Sequence, residues 1–229
     1  MFALARYTNA RGFPLSVSPE RGLSAVVRQE WRFDTGDTGD SGRGRRETTA
    51  RLAGYRSLGQ PWGHARHVLA IRGSGGVVRG PGADGGHFAL GGVAGEGLSG
   101  PGYELVAAAR PEFPLRGYDR GERRGTRAWS ATAEYRFPLG LPQKGSGLLP
   151  AFLGQVSGDV FLDAGDAWND ETGDEGSVAG LDPLIATGAE VLFDTLLIYR
   201  APITFRLGVA QALVAPTGTT VYFTIGRSF

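Results

Sequence analysis

The chain closes on a run that alternates with period two: Thr220-Val221-Tyr222-Phe223-Thr224-Ile225-Gly226-Arg227-Ser228-Phe229. Val221, Phe223, Ile225 and Phe229 fall on one face, and Tyr222, Thr224, Gly226 and Ser228 fall on the other. Successive side chains of a strand point to opposite faces, so one face here is apolar and the other polar or small. One such strand fits any half-buried sheet. Recurrence is what constrains the fold. The same pattern returns in several segments of similar length, and the chain stops on an aromatic residue in phase with the apolar face.

Nine strands follow from this reading: Phe2–Thr8, Leu23–Phe33, Glu47–Leu58, Ala65–Val78, Arg127–Phe137, Val156–Trp168, Leu184–Tyr199, Ile203–Leu213 and Thr219–Phe229. Trp129, Ala131, Ala133, Tyr135 and Phe137 oppose Ser130, Thr132, Glu134 and Arg136. Val160, Leu162 and Ala164 oppose Asp159, Phe161, Asp163 and Gly165; Ala189, Val191 and Phe193 oppose Gly188, Glu190 and Asp194. Ile203, Phe205, Leu207 and Val209 oppose Thr204, Arg206 and Gly208. A tilted transmembrane strand needs about 9–11 residues, which these segments supply. The mid-strand charges suit either solvent on a soluble sheet or the wet lumen of a barrel. Alternation alone leaves both open.

Glycine makes up 38 of the 229 residues, which suits a curved sheet with many turns and disfavours long helices. Mean hydropathy is −0.15. That figure is compatible with a barrel, where only alternate residues meet lipid. No run of ~18 apolar residues exists, so no membrane-spanning helix is expected. The best stretch, 191–199, is short and contains Asp194. A net charge of +1 argues against nucleic acid as a partner, and the absence of cysteine removes disulfides and thiolate zinc sites. Charge gathers locally at 34–47, 116–127 and 169–175, which read as solvated loops. Met1 leads directly into strand-like Phe2-Ala3-Leu4-Ala5-Arg6-Tyr7 with no secretory leader. The expectation is a C-terminal part of a longer protein, or a start assigned too late.

Residues 79–126 carry little periodicity, and a connection of that length is usually functional or disordered. It contains Leu115-Arg116-Gly117-Tyr118, preceded by Phe88-Ala89-Leu90-Gly91-Gly92. The sixth strand contains Phe161-Leu162-Asp163-Ala164-Gly165, and five strands follow the loop. Together with the ending at Phe223, Ile225 and Phe229, these motifs resemble the barrel of the BamA/TamA outer-membrane assembly superfamily (bacterial surface antigen barrels). That superfamily includes two-partner-secretion transporters and organellar relatives.

The resemblance implies an all-β fold: an antiparallel transmembrane β-barrel segment of about nine strands out of sixteen. It forms one domain over 1–229, with four strands in 1–78, a long loop in 79–126 and five strands in 127–229. Nine strands are too few to close the sixteen-strand shape, so an open or imperfectly closed sheet is expected. The resemblance further implies that the long loop, Val93 to Arg127, folds into the lumen. There the arginine of a (V/L)RG(F/Y) tetrapeptide, here Leu115, Arg116, Gly117 and Tyr118, meets the acid of F-x-D-x-G, here Phe161, Asp163 and Gly165. Charge and spacing alone favour a solvated Arg116 and a local turn bond for Asp163. Inside a lumen, though, the guanidinium needs a partner, and Gly117 would let the loop backbone approach the wall.

The function implied is insertion or translocation of polypeptides at the bacterial outer membrane, or anchoring of an upstream domain. The implied partners are outer-membrane lipid, unfolded or translocating polypeptide, and N-terminal strands or domains of a longer chain. The rival is a soluble Gly-rich β-sandwich binding a small ligand or sugar. No enzyme is expected, since G-x-S-x-G, P-loop and His/Glu zinc patterns are absent. No cofactor is expected either. His64 and His67 sit at a turn with spacing that parts their rings on a strand, which disfavours a metal. His87 near Asp84 reads as a lone loop histidine. The acidic run Asp170, Glu171, Asp174 and Glu175 lacks the fixed spacing of a calcium loop. Gly73 to Gly86 lacks the strand-to-helix context of a phosphate loop.

Overall fold

A computed structural model describes residues 1–32, 44–80, 87–93, 99–100, 103–104, 113–147, 149–169, 182–198 and 200–226. The elements are β1 (Phe2–Thr8), β2 (Arg21–Arg32), β3 (Arg45–Gly59), β4 (His67–Arg79), β5 (Phe88–Leu90), β6 (Ser99–Gly100) and β7 (Tyr103–Glu104). They continue with β8 (Arg123–Gly125), β9 (Arg127–Gly140), β10 (Lys144–Ser146), β11 (Leu149–Trp168), β12 (Leu184–Leu197), β13 (Ala201–Ala212) and β14 (Thr219–Ile225). There is no helix among the described residues.

One sheet runs β1-β2-β3-β4-β9-β11-β12-β13-β14, with β10 added to β11. Every neighbouring pair is antiparallel. The sheet is open: β1 and β14 are its two edges. β5–β8 and β6–β7 form separate small ladders.

The sequence expectation differs from this in detail. β11 begins at Leu149, not Val156, and carries the small hairpin with β10. The breaker cluster Gly145, Gly147 and Pro150 masks that extension in the sequence. Short ladders also lie within 79–126, where periodicity is too brief to register. The last three residues, Phe229 among them, lie outside the described residues, as do Asp84 and the run 170–175.

The sheet is inside out relative to a soluble protein. One face carries Leu52 (61% exposed), Ile71 (55%), Leu162 (51%), Val221 (72%) and Phe223 (62%). The other face buries Ser130, Thr132, Glu134, Asp159, Asp163, Glu190 and Arg206. Cross-strand register keeps each set on its own side: Gly54, Ile71, Ala133, Leu162 and Thr187 form one outward row. A β-sandwich would need a second sheet packed over the apolar face, and none covers it among the described residues.

An exposed apolar face of this extent fits a lipid-facing wall, and that reading has a measurable consequence. Leu52 sits mid-strand on that face, so Leu52→Arg should cost about 2–4 kcal/mol in a bilayer. Urea unfolding of the protein in vesicles, followed by tryptophan fluorescence, measures this. Unchanged stability would mean that this face meets water.

Candidate functional site

The larger apolar cluster lies between the described part of the long loop and the inward face of the sheet. Phe88, Leu90, Phe113, Leu115 and Tyr118 from the loop pack against Val78, Ala128, Ala167, Leu184, Ala186 and Ala212 of the wall. Small wall residues make the room. A Cβ on Gly76 would lie 2.8 Å from both the Phe88 and Phe113 rings, which cross edge-to-face with centroids 5.1 Å apart. A Cβ on Gly165 would lie 2.9 Å from Leu90 Cδ1. The glycine of F-x-D-x-G thus leaves space for the loop to reach the wall.

Within the loop, Gly91 and Gly92 adopt φ of 115° and 78°, open to glycine but costly for other residues. Their backbones hold the tetrapeptide strand. Gly91 N donates to Phe113 O (3.0 Å), Gly92 N to Tyr118 O (3.0 Å) and Leu115 N to Gly92 O (3.1 Å). Gly117, at φ 88°, rests against the wall; a Cβ there would be 3.3 Å from Ala186 Cβ and Ala212 N. Tyr118 secures the far side, where its hydroxyl donates to Ile185 O (2.9 Å) or Val214 O (2.8 Å) and accepts from Val214 N (3.2 Å).

Arg116 is 3% exposed and reaches three neighbouring strands at once. Its Nε and Nη2 donate to Asp163 Oδ2 (2.7 Å) and Oδ1 (2.8 Å) on β11, a fork-to-fork pair. Its backbone N also donates to Asp163 Oδ2 (3.2 Å). Nη2 lies 2.9 Å from Glu134 Oε1 on β9, and Nη1 donates to Glu190 Oε1 on β12 at 3.1 Å. The guanidinium carbon stands 3.4 Å above the centroid of the Phe161 ring, a cation–π contact. Phe161 in turn packs over Gly188, where a Cβ would be 2.5 Å from the ring. Burial opposes the Arg116 charge, but Asp163, Glu134 and Glu190 outweigh it and hold the guanidinium protonated well above its ordinary range.

A second layer surrounds these acids. Glu134 Oε2 also accepts from Arg136 Nε (2.9 Å) and Nη2 (2.5 Å). Glu190 is approached by Arg206 Nε at 3.5 Å and accepts from the Tyr222 hydroxyl. Arg206 Nε donates to Thr224 Oγ1 at 3.0 Å. The set spans β9 to β14, so the loop arginine is tied to the C-terminal half of the sheet. Asp159, between Arg136 and Glu190 in the same cross-strand row, is buried with its Oδ1 unpartnered.

The structure thus brings together Leu115, Arg116, Gly117, Tyr118, Phe161, Asp163 and Gly165. Phe223 and Ile225 lie elsewhere, on the outward face, with Phe223 stacked on Phe205 at 5.9 Å. Glu134 and Glu190 are legible in the sequence as polar-face charges but not as partners of Arg116. The usable signal is register: Glu134 pairs directly with Phe161, and Glu190 with Asp159.

The histidines serve separate contacts. His64 meets Gln155 (3.4 Å), while the buried His67 meets the Tyr135 hydroxyl (2.5 Å) and Trp62 O (3.2 Å). His87 pairs with Glu47 (2.7 Å).

An inside-out antiparallel wall, with a long loop clamped by its arginine to carboxylates on the inward face, has the architecture of part of a membrane β-barrel, here with its edges open. Residues 15–229 match the family model of the Omp85 superfamily domain, and the chain belongs to that superfamily. Its members are in general outer-membrane proteins of assembly and translocation. No curated protein matches the chain.

Proposed function

We propose that this chain forms the C-terminal wall of a BamA/TamA-like barrel in the bacterial outer membrane. The barrel inserts or translocates polypeptides and carries out no enzymatic chemistry. The reading rests on one observation above the others: Arg116, buried in the lumen, is held by Asp163, Glu134 and Glu190 from three consecutive strands. Membership of the Omp85 superfamily, whose members are in general proteins of assembly and translocation, supports the same reading. Its partners are outer-membrane lipid on the outward face and an unfolded polypeptide at the lumen or the open edge.

Further strands belong to the working barrel. Seven strands separate β1 from β14 in an all-antiparallel sheet, so the two edges run the same way. They could meet each other only as a parallel pair. An odd number of added strands, from elsewhere on the polypeptide or from another chain, closes the sheet antiparallel and satisfies its edge groups in lipid.

Reconstitution in lipid vesicles tests the function. An unfolded, dye-labelled outer-membrane barrel should become protease-protected faster when the protein is present, and Arg116→Ala should abolish the gain. No acceleration in a correctly inserted, strand-complete protein would remove the insertase reading and favour an anchoring role.

A further inference from the structure

We propose that paired arginines at the two rims of the outward face are clamps for the phosphate of anionic lipid headgroups, whose charge no choline neutralises; this rests on the membrane reading above. On β2, β3 and β4 the outward positions carry Arg21, Arg46, Arg56 and Arg79 and no carboxylate. All four lie within four residues of a strand end. Arg46 pairs directly with Arg79 across β3–β4, and Arg21 pairs directly with Arg56 across β2–β3. Arg11 extends the second group, bridging to Arg21 from the other side.

Directly opposed residues have Cβ atoms about 4.5–5.5 Å apart, and like charges there are destabilising. All five arginines are exposed, and none has a carboxylate partner among the described residues. The carboxylates nearest in the sheet face inward and are engaged, Glu30 by Arg28 and Arg32, and Glu47 by His87. Arg46 is steadied by the Gln29 side-chain carbonyl, which leaves its charge uncompensated. Two arginines opposed in register can both reach one phosphate, which offers several acceptor oxygens and cancels their repulsion.

Spacing supports a membrane source for that phosphate. Arg46 and Arg56 lie ten residues apart on β3, separated on the outward side by Thr48, Ala50, Leu52 and Gly54. At ~3.3 Å per residue and a tilt of ~40°, the rims stand about 25 Å apart, the height of a barrel's apolar band. Trp31 pairs with Arg46 at one rim, in the position of an interfacial aromatic.

The test uses the full chain folded in phosphatidylcholine micelles containing phosphatidic acid, with bound lipid counted by native mass spectrometry. Phosphatidic acid should be retained over phosphatidylcholine by roughly tenfold or more. Arg46→Gln/Arg79→Gln and Arg21→Gln/Arg56→Gln should each lose part of that preference, and the fourfold variant all of it. Arg46→Lys/Arg79→Lys should keep most of it. Arg51→Gln, which removes an exposed arginine from the inward face, should leave it unchanged.

Circular dichroism on the same samples identifies any variant that fails to fold. Loss of preference in Arg51→Gln, or none in the fourfold variant, overturns the assignment. Displacement of the lipid by dilute inorganic phosphate would assign the pairs to free phosphate and overturn the lipid source. Vesicle flotation in pure phosphatidylcholine reads the membrane step alone. Flotation without headgroup preference defeats only the clamps, whereas failure to float defeats the membrane reading as well.

Discussion

Arg116→Met should release the long loop from the lumen and lower stability by about 3–5 kcal/mol, the cost of stripping one partner from a buried ion pair. Methionine keeps much of the side chain's bulk, so packing over Phe161 changes little. The charge is what disappears. Asp163, Glu134 and Glu190, none more than 2% exposed, then face one another with Arg136, Arg206 and Arg72 as the cations nearby. The loss should appear as a lower urea midpoint and as disappearance of the compact, heat-modifiable band on semi-native gels. Asp163→Asn should be more damaging than Glu190→Gln, because Asp163 accepts three bonds from Arg116 and Glu190 accepts one. The double swap Arg116→Asp/Asp163→Arg should recover only a minor part of the loss. The new aspartate would sit beside Glu134 and Glu190, which an isolated Arg116–Asp163 pair would not contain. A variant with wild-type gel mobility and midpoint would mean that the buried charges do not hold the loop.

Much of this architecture is readable from the chain because period-two alternation is local. It needs no knowledge of partners, so Arg127–Phe137 and Ile203–Leu213 can be assigned to strands and faces directly. What defeats local reading is interruption. The start of β11 hides behind Gly147 and Pro150, and the two-to-three-residue strands of the loop are shorter than any detectable period. The site is legible to a different degree. The resemblance identifies Arg116 and Asp163 because both lie in short motifs. Glu134 and Glu190 sit in ordinary alternating strands, and their approach to Arg116 depends on cross-strand register, a tertiary quantity. The glycines are harder still. Gly188 and Gly165 look like generic strand breakers, yet each faces a ring or a loop side chain that a Cβ would displace. The high glycine count is thus partly a record of how closely the loop and the aromatic rings approach the wall.

The loop's own glycines give the second large effect. Gly91→Ala should leave the sheet intact and unpin the tetrapeptide. At φ 115° an L-residue is strained by about 1–3 kcal/mol. The new Cβ would also lie 2.0 Å from Asp119 O, a backbone atom of the turn just after Tyr118. Relief requires 88–92 to separate from 113–119, which breaks the bonds to Phe113 O and Tyr118 O. Arg116 would then leave its carboxylates without any change in its own chemistry. Trypsin reports this directly, since it cuts after arginine. The Arg116–Gly117 bond should resist in the wild type, where Arg116 is buried, and should be cut at least about tenfold faster in Gly91→Ala, in proportion to the open population. Gly73→Ala is the matched control, because nothing lies within 4 Å of a Cβ there and its φ is not positive. If Gly91→Ala resists trypsin as well as Gly73→Ala does, the loop is seated by Arg116 and its apolar contacts alone. The Gly91-Gly92 turn would then have no part in presenting the arginine.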